Sequence, residues 1–375
     1  MKILFVLDNY YPYNGGAEVL FKVLTEGLAS KHSVSVLTRS LKGVSSQESI
    51  NGVSVKRIKT PTFFPRFFFM LFSLPYLLIN AKKYDIIHTT TCGSSISAWL
   101  TSKIYRIPSV ITVLEVIGRD WLKLEIGRFF GYFYILMERI LVLLPFDEYV
   151  CISRSTQRNL AKVRGKKRSS VVYCSVDYNH WDPKRYKKSV PEIRKKLGLN
   201  EKEFLVVFYG RPGESKGVEY FIKSLPKISF LMKNVRFLLI LGTDPKKRYE
   251  KMKYLLSKYA SGKAILHRPV SYSLLPKYVM ASDCVVIPSI TEGFGFCVAE
   301  SCALGKPVVA SNTTSIPEVV SGKFLLVPPK NSDAIAKAVF MIKQKKYMRT
   351  PLRKFTYDKL IDGYELIYEK LKSSK

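Results

Sequence analysis

The stretch Asp283–Ser311, DCVVIPSITEGFGFCVAESCALGKPVVAS, predicts a strand, a glycine-containing turn and a helix. The apolar strand ends at Pro288-Ser289, and the helix begins near Gly293 to Gly295. The glycines let the backbone come close to a ligand, and the N–H groups of a helix start attract negative charge. Glu292 lies at the carboxyl end of the strand, where open α/β sheets bind ligands, and Glu300 falls about two turns into the helix. We therefore expect an α/β fold with a diphosphate site here.

A second motif, Gly210–Gly217 with the sequence GRPGESKG, directly follows another apolar strand. Arg211 and Lys216 would bracket an anion, because Arg offers a planar fork to phosphate oxygens and Lys a compact charge. Together they would neutralise a diphosphate leaving group. A loop with two unrelated surface cations is the alternative interpretation.

Short apolar runs alternate with helix-length segments in both halves of the chain, which predicts two parallel sheets covered by helices. At 375 residues the chain fits two domains of ordinary size. The charged segment Tyr178–Asn200 contains two prolines and separates the two series. We predict an N-terminal domain of residues 1–185, joined by a C-terminal helix at about 357–375, and a C-terminal domain of residues 186–356. The predicted strands are Lys2–Leu7, Val34–Thr38, Val53–Ile58, Ile86–Thr89, Ser109–Val113, Glu148–Ile152, Phe204–Tyr209, Val235–Leu241, Ala264–Leu266, Cys284–Ile287, Val308–Ala310 and Phe324–Val327.

The charge balance predicts an anionic partner. There are 61 Lys and Arg residues against 29 Asp and Glu, a net charge of +32, which attracts nucleic acid, acidic lipid or phosphorylated ligands. Basic runs such as Lys246–Arg248 occur in both halves without a recognisable nucleic-acid module, so nucleic acid is disfavoured as a partner.

The six scattered cysteines form no CxxC pair, and the first residues predict a strand and not a signal peptide. These features indicate a cytoplasmic location.

Two segments, Phe63–Ile79 and Phe129–Phe146, are unusually apolar and aromatic. Prolines and charged residues interrupt them, so neither predicts a membrane-spanning helix of about twenty apolar residues. Two interpretations remain open. The segments are either buried helices of the N-terminal domain or helices that bind peripherally to an anionic membrane surface.

Taken together, the two glycine-containing motifs resemble those of the retaining glycosyltransferases of the GT-B fold, in the large group called family four. The resemblance rests on Glu292-Gly-Phe-Gly with Glu300, the preceding Ile-Pro-Ser, the following Gly-Lys-Pro-Val-Val-Ala-Ser, and the GR...KG pattern of Arg211 and Lys216. It implies two Rossmann-like domains facing each other across a cleft, and transfer of a sugar from a nucleotide diphosphate donor. In that family the first Glu contacts the transferred sugar and the second holds the ribose hydroxyls, roles that map onto Glu292 and Glu300. Gly293, Phe294 and Gly295 would complete the donor turn.

The resemblance also implies that no metal is obligatory and that no cofactor is needed beyond a UDP- or GDP-linked sugar as co-substrate. The sequence contains no Asp-x-Asp motif. Arg211, Lys216 and the helix starts would take over the charge stabilisation that Mg²⁺ provides in other transferases.

Other motifs extend the predicted donor site. Gly15 and Gly16 follow the first strand in a GGAE sequence, and this helix start would face the same phosphates. The sequence lacks G-x-G-x-x-G spacing, which disfavours a nicotinamide enzyme. Pro269 and Val270 lie where the family's base-binding loop sits, so we expect the backbone there to contact the nucleobase.

The acceptor side departs from the family pattern. His88 resembles the family's DxxH position, for which a catalytic role and a structural role both remain open. In the next strand Leu114 replaces the usual His of a TVH-like motif, and Glu115 follows it. The expected acceptor is a lipid-linked glycan or glycolipid, with a soluble saccharide as the competing choice. Two further alternatives are a catalytically degenerate nucleotide-binding subunit and a sugar-nucleotide epimerase of the same fold.

Overall fold

The computed structural model describes residues 1–13, 15–124, 127–165 and 168–373. The chain divides into two compact units, Met1–Ser175 with Phe355–Lys375, and Val176–Lys354. The domain boundary expected at residues 185 and 186 falls inside a short helix, Pro183–Tyr186, of the second unit. Residues 374 and 375 of the expected C-terminal helix lie outside the described residues.

The first unit contains an eight-stranded sheet in the order β3-β4-β2-β1-β5-β6-β7-β8, parallel except for the β3–β4 hairpin. The central strands β1, β5 and β6 are buried on both faces, as a sheet covered by helices on both sides requires. Its elements are β1 (Lys2–Leu7), α1 (Gly16–Ala29), β2 (Ser33–Arg39), β3 (Gln47–Ile50), β4 (Val53–Ile58), α2 (Pro65–Asn80), β5 (Ile86–Thr90), α3 (Ser94–Tyr105), β6 (Ser109–Val113), α4 (Arg128–Leu143), β7 (Glu148–Cys151), α5 (Arg154–Arg164) and β8 (Ser170–Val171).

The second unit contains a seven-stranded sheet in the order β11-β10-β9-β12-β13-β14-β15, in which only the short β15 is antiparallel. One large apolar core packs α8, α9 and α13 against this sheet. Its elements are α6 (Pro183–Tyr186), α7 (Val190–Lys196), β9 (Phe204–Gly210), α8 (Val218–Leu231), β10 (Val235–Leu241), α9 (Lys246–Tyr259), β11 (Ala264–His267), α10 (Leu275–Ala281), β12 (Cys284–Ile287), α11 (Phe296–Ala303), β13 (Val308–Ser311), α12 (Ile316–Val319), β14 (Lys323–Val327), α13 (Ser332–Lys343) and β15 (Met348–Arg349).

The last helix, α14 (Tyr357–Ser373), returns to the first unit and packs against α1. It covers one face of the sheet, because His88 of β5 and Thr112 of β6 point toward its tyrosines. The neighbouring residues Ile87 and Ile111 point to the opposite face, where they belong to the apolar cores of α2 and α4. Helices α2 and α4 therefore lie on the same face of the first sheet.

The two aromatic segments of the sequence form α2 and α4, and both helices leave large apolar side chains exposed. Phe64 and Phe67 near the start of α2 are 77% and 53% exposed, and Phe129 at the start of α4 is 78% exposed. The interpretation of these segments as well-buried helices is therefore wrong. No helix in the described part of the chain has the length and apolar character needed to cross a bilayer.

Candidate active site

The glycine turn after β12 is built as the sequence predicts. Gly295 adopts a φ of +98° and precedes the first residue of α11, with no side chain capping the helix start. The Ser315 hydroxyl lies 2.9 Å from the carbonyl oxygen of Glu292 and 2.8 Å from that of Phe294. Contacts from Ser315 thus fix the turn, including Gly293, which lies between these two residues. The first N–H groups of α11 form the positive end of the helix dipole, and no side chain caps them.

The two motifs of the sequence meet in an ion pair between Lys216 and Glu292. Lys216 Nζ donates to Glu292 Oε1 over 2.7 Å, and Ser289 Oγ donates to the same oxygen over 2.9 Å. The Glu292 backbone N–H donates to Thr314 Oγ1 over 2.9 Å. The side chains of Lys216 and Glu292 are 28% and 12% exposed. A cation and a carboxylate, both held in place and both partly open to solvent, therefore lie beside the start of α11.

The loops that carry these two residues are also joined through their backbones. The Ile290 N–H donates to the carbonyl oxygen of Ser215 over 2.7 Å. Gly217 adopts a φ of +60°, and a Cβ there would lie 2.1 Å from the carbonyl oxygen of Pro288. The close approach of the two loops thus requires a glycine at this position.

Arg211 lies exposed at the start of the same loop. The loop is held by Arg248 of α9, whose Nε donates to the carbonyl oxygen of Pro212 over 3.2 Å and whose guanidinium pairs with both Glu219 and Glu214. Sequence reasoning did not identify Arg248, because it belongs to a basic run that resembles a solvated surface. Its partner Glu219 is buried in the first turn of α8. Nothing in the sequence indicates that these two residues form a pair.

Glu300 is buried in α11 close to Tyr209 of β9. The Tyr209 hydroxyl lies 3.3 Å from Glu300 Oε2 and 2.9 Å from the carbonyl oxygen of Cys297. Burial raises the pKa of Glu300 to about 8, against the opposing effect of the Tyr209 hydrogen bond. The carboxyl group is therefore largely protonated at neutral pH.

Pro269 and Val270 follow β11, with Pro269 exposed and Val270 half-buried. An aromatic cluster connects the segment just after them to β9. Trp181 Nε1 donates to the hydroxyl of Tyr272 over 2.8 Å, and the Trp181 ring stacks near Tyr209 at 6.3 Å between centroids. The cluster thus joins the expected base-binding loop to the partner of Glu300. Trp181 is fully buried and was also missed from sequence, where a lone Trp in a charged segment carries no specific signal.

Gly15 and Gly16 lie in the first unit, at the start of α1. Gly15 precedes the helix, and the Glu18 side chain folds back over it, since a Cβ on Gly15 would lie 2.2 Å from Glu18 Oε2. A carboxylate already occupies the positive end of the helix, so an approaching phosphate would meet a like charge. The predicted phosphate contact of these glycines stays a prediction.

His88 has no exposed surface. Its Nδ1 lies 2.5 Å from the Tyr368 hydroxyl, its Nε2 lies 2.8 Å from Thr112 Oγ1, and Thr112 Oγ1 in turn lies 2.7 Å from the Tyr364 hydroxyl. Burial lowers the pKa of His88 to about 3. The ring is thus neutral and engaged at both nitrogens, an arrangement that supports the structural role and not the catalytic one.

The second unit therefore brings together most of the predicted donor residues, whereas His88, Gly15 and Gly16 lie in the first unit. Among residues 1–13, 15–124, 127–165 and 168–373, no group of three or more His, Cys, Asp or Glu side chains is placed to hold a metal ion.

Comparisons with known proteins agree with this division. The family model described as Glycosyltransferase Family 4 matches residues 14–180, and the model described as Glycosyl transferases group 1 matches residues 189–358. An uncharacterized glycosyltransferase of Methanocaldococcus jannaschii is 28% identical over 353 residues, which cover 90% of this chain and 87% of the relative.

Two more distant matches are informative. The UDP-Gal:alpha-D-GlcNAc-diphosphoundecaprenol alpha-1,3-galactosyltransferase of Escherichia coli is 23% identical over 310 residues, which cover 78% of this chain and 74% of that enzyme. The structure of sucrose-phosphate synthase from Thermosynechococcus elongatus matches with a TM-score of 0.82 at 18% identity, with 100% of both chains covered. The GT-B fold predicted from the sequence is confirmed.

Proposed function

The chain is a glycosyltransferase of the GT-B fold, and we propose that it transfers a sugar from a UDP- or GDP-linked donor to a lipid-linked glycan acceptor with retention of anomeric configuration. The observation that carries the proposal is the Lys216–Glu292 pair of 2.7 Å beside the uncapped start of α11. This arrangement suits a sugar diphosphate. The helix start and Lys216 attract the negatively charged phosphates, and the carboxylate of Glu292 accepts hydrogen bonds from sugar hydroxyls.

In the proposed reaction the bond between the anomeric carbon and the diphosphate oxygen breaks, and the diphosphate keeps the electron pair. Lys216, Arg211 and the N–H groups of α11 stabilise the charge that develops on that oxygen. The acceptor hydroxyl bonds to the anomeric carbon on the same face and gives its proton to the departing phosphate oxygen. Retention follows from this geometry of attack, and no metal ion is required by it.

Two structural features support the nucleoside part of the proposal. Glu300, kept next to Tyr209 at 3.3 Å, offers a carboxyl group for hydrogen bonds with the ribose hydroxyls. The segment Pro269–Val270 offers backbone groups for the base, and Trp181 with Tyr272 supports it.

Exposed aromatic surface supports a lipid-linked acceptor and peripheral membrane association. Helix α2 presents exposed Phe side chains, and α4 presents exposed Phe and Tyr side chains, on the same face of the first unit. The acceptor named for the Escherichia coli relative is a sugar on diphosphoundecaprenol. An anionic bilayer would also attract a chain of net charge +32.

The test is nucleotide release from a panel of UDP- and GDP-sugars, with and without membrane lipid extract. We expect release with one donor that depends on the extract, and a decrease of about a hundredfold or more in Glu292→Gln. Glu250→Gln, on the exposed surface of α9, is the matched control and should behave as wild type. NMR of the product determines its anomeric configuration, and inversion would contradict the proposed mechanism.

A second candidate is a nucleotide-binding subunit without turnover, which Leu114 favours because it stands where the family places a His. Binding of UDP or GDP without release from any donor, in the wild type and in Glu292→Gln alike, would support this candidate and overturn the first.

A further inference from the structure

Helix α4 leaves most of its apolar surface uncovered. Only Gly131 and Val142 of its sixteen residues are buried. Continuous exposed apolar surface of this kind marks an interaction site in soluble proteins. The exposed large side chains of α4 are Phe129, Phe130, Tyr132, Phe133, Tyr134, Leu136, Met137, Ile140 and Leu143.

One carboxylate on this helix organises the loop that follows β6. Glu138 accepts hydrogen bonds from the Ile117 N–H over 2.9 Å, the Gly118 N–H over 2.7 Å and the Trp121 indole N–H over 3.0 Å. These three donors satisfy the half-buried carboxylate of Glu138. Transfer of the helix from water to a less polar environment therefore costs little additional free energy at this residue. We refer to residues 114–123 as the acceptor loop.

Packing reinforces these hydrogen bonds. The Trp121 ring stacks on Tyr134 with centroids 4.9 Å apart and an interplanar angle of 25°. Gly131 lets the loop lie directly on the helix, because a Cβ there would lie 2.8 Å from Leu122 Cδ2. The loop and α4 are thus linked at several points along the helix, independently of residues 125 and 126, which lie outside the described residues.

The acceptor loop begins at the carboxyl end of β6, the edge where open α/β sheets bind their ligands. Its first part is anchored to the domain, since Val116 is buried in the core and its carbonyl oxygen accepts from Asn159 Nδ2 over 3.1 Å. Its second part, Gly118–Lys123, is attached to α4. One loop therefore connects the edge of the sheet to the exposed aromatic helix.

We propose that α4 and the acceptor loop dock as one element on an anionic lipid bilayer, and that Glu138 is the positioning residue that couples the docked helix to the loop. The partner is a bilayer because the exposed surface of α4 combines Phe with Tyr, as membrane interfaces favour. The element formed by α4 and the acceptor loop also carries more exposed arginines than exposed acids. The arginines are Arg119, Arg128 and Arg139, and the acid is Asp120. The role in catalysis rests on the proposed lipid-linked acceptor, for whose sugar the docked loop would offer a contact.

The test uses Trp121 as a reporter of depth. The chain is mixed with vesicles of phosphatidylglycerol and phosphatidylcholine that carry bromine on their acyl chains, and tryptophan fluorescence and co-sedimentation are measured. The signal of Trp121 is the difference between each protein and the same protein with Trp121→Phe. We expect the wild type to sediment with the vesicles and the Trp121 signal to be quenched.

In Glu138→Ala the vesicles should still bind the helix, but the Trp121 quenching should be lost. Glu138→Gln should recover part of it, because the amide oxygen still accepts one of the N–H groups. Glu369→Ala, at an exposed position on α14, is the matched control and should be quenched as wild type. Equal quenching in Glu138→Ala and the wild type would overturn the coupling, and failure of the wild type to sediment would overturn the docking.

These outcomes are separate from the transferase reaction. If the proposed function holds, Glu138→Gln should raise the KM for membrane lipid extract and leave the kcat and the KM for the donor close to wild type. A variant damaged only in folding would instead lose donor and acceptor kinetics together. Absence of nucleotide release from the wild type contradicts the proposed function but leaves the vesicle result to decide the docking.

Discussion

A Cβ atom on Gly217 would lie 2.1 Å from the carbonyl oxygen of Pro288. Gly217 ends the loop that carries Lys216, and Pro288 begins the turn that leads to Glu292. The distance of 2.7 Å between Lys216 Nζ and Glu292 Oε1 therefore depends on a position at which the backbone has no room for a side chain.

Replacement of this glycine should damage both stability and turnover. For Gly217→Ala we expect the free energy of unfolding to fall by about 2 to 4 kcal/mol, from left-handed backbone strain and overpacking. Nucleotide release should fall by about a hundredfold as the cation moves away from the carboxylate. Gly213→Ala is the control, since Gly213 has φ near −60° and nothing within 4 Å of an added Cβ. Equal losses in both variants, measured by urea unfolding and turnover, would refute the argument.

Glu300 should lower the free energy of unfolding at high pH and contribute to nucleotide binding. The pKa of Glu300 is about 8 in the folded chain and 4.5 in the unfolded chain. Between pH 4.5 and pH 8 the folded state therefore binds a proton that the unfolded state has lost. The contribution to stability is full below pH 4.5 and is lost as the pH rises to about 8. We expect Glu300→Gln to exceed the wild type in stability above pH 8 by about 1 kcal/mol or more, while its affinity for UDP or GDP falls about tenfold.

Thermal melts at a series of pH values and nucleotide titrations check this prediction. The stability difference between Glu300→Gln and the wild type should shrink toward pH 4.5. A difference that is independent of pH would show that Glu300 does not hold a raised pKa.

His88 should matter for stability and not for chemistry. We expect His88→Ala to lower the free energy of unfolding by about 3 kcal/mol, because it opens a cavity and leaves buried hydroxyls unpaired. Tyr368→Phe, which removes one hydroxyl, should cost about 1 kcal/mol. Since the pKa of His88 is about 3 when folded and 6.5 in the reference state, its contribution to stability is present above pH 6.5 and lost as the pH falls.

The turnover of folded His88→Ala, measured well below its melting temperature, should match the wild type. Loss of turnover in a variant that melts like the wild type would instead restore the catalytic role expected from the sequence.

The exposed phenylalanines of α4 should contribute to lipid binding. For the double variant Phe129→Gln and Phe133→Gln we expect binding to anionic vesicles to fall about tenfold or more, because two apolar side chains no longer leave water. The melting temperature should stay unchanged, since both side chains are exposed in the chain itself. Phe230→Gln is the control, because Phe230 is 87% exposed in the second unit. Co-sedimentation that falls equally with this control would indicate nonspecific adhesion.

The fold could be predicted, and the two loops that carry the proposed donor residues could be located, because their signals are local. The strand, the glycine turn and Glu292 follow one another within a few residues, and the apolar run of each strand reports its burial directly. Even so, the predicted strands omit the edge strands β3, β8 and β15, of which β8 and β15 have only two residues. None of the three consists of a continuous apolar run.

The residues that support the site could not be predicted, because their partners are distant in the chain. Arg248 meets Glu219 across α8 and α9, and Trp181 meets Tyr272 through an indole N–H. Glu138 gave only the impression of a charge interrupting an apolar segment. Its role follows from the three hydrogen bonds that it accepts from the acceptor loop in the folded structure.

The network of His88, Thr112, Tyr364 and Tyr368 also bears on how the protein is made. A ribosome that has translated residues 1–175 has produced His88 and Thr112 but not the two tyrosines that complete their hydrogen bonds. The part of the first sheet that lies beneath α14 must therefore stay uncovered until the whole second unit and then α14 have left the ribosome. The unit that begins first during synthesis is the one that finishes last.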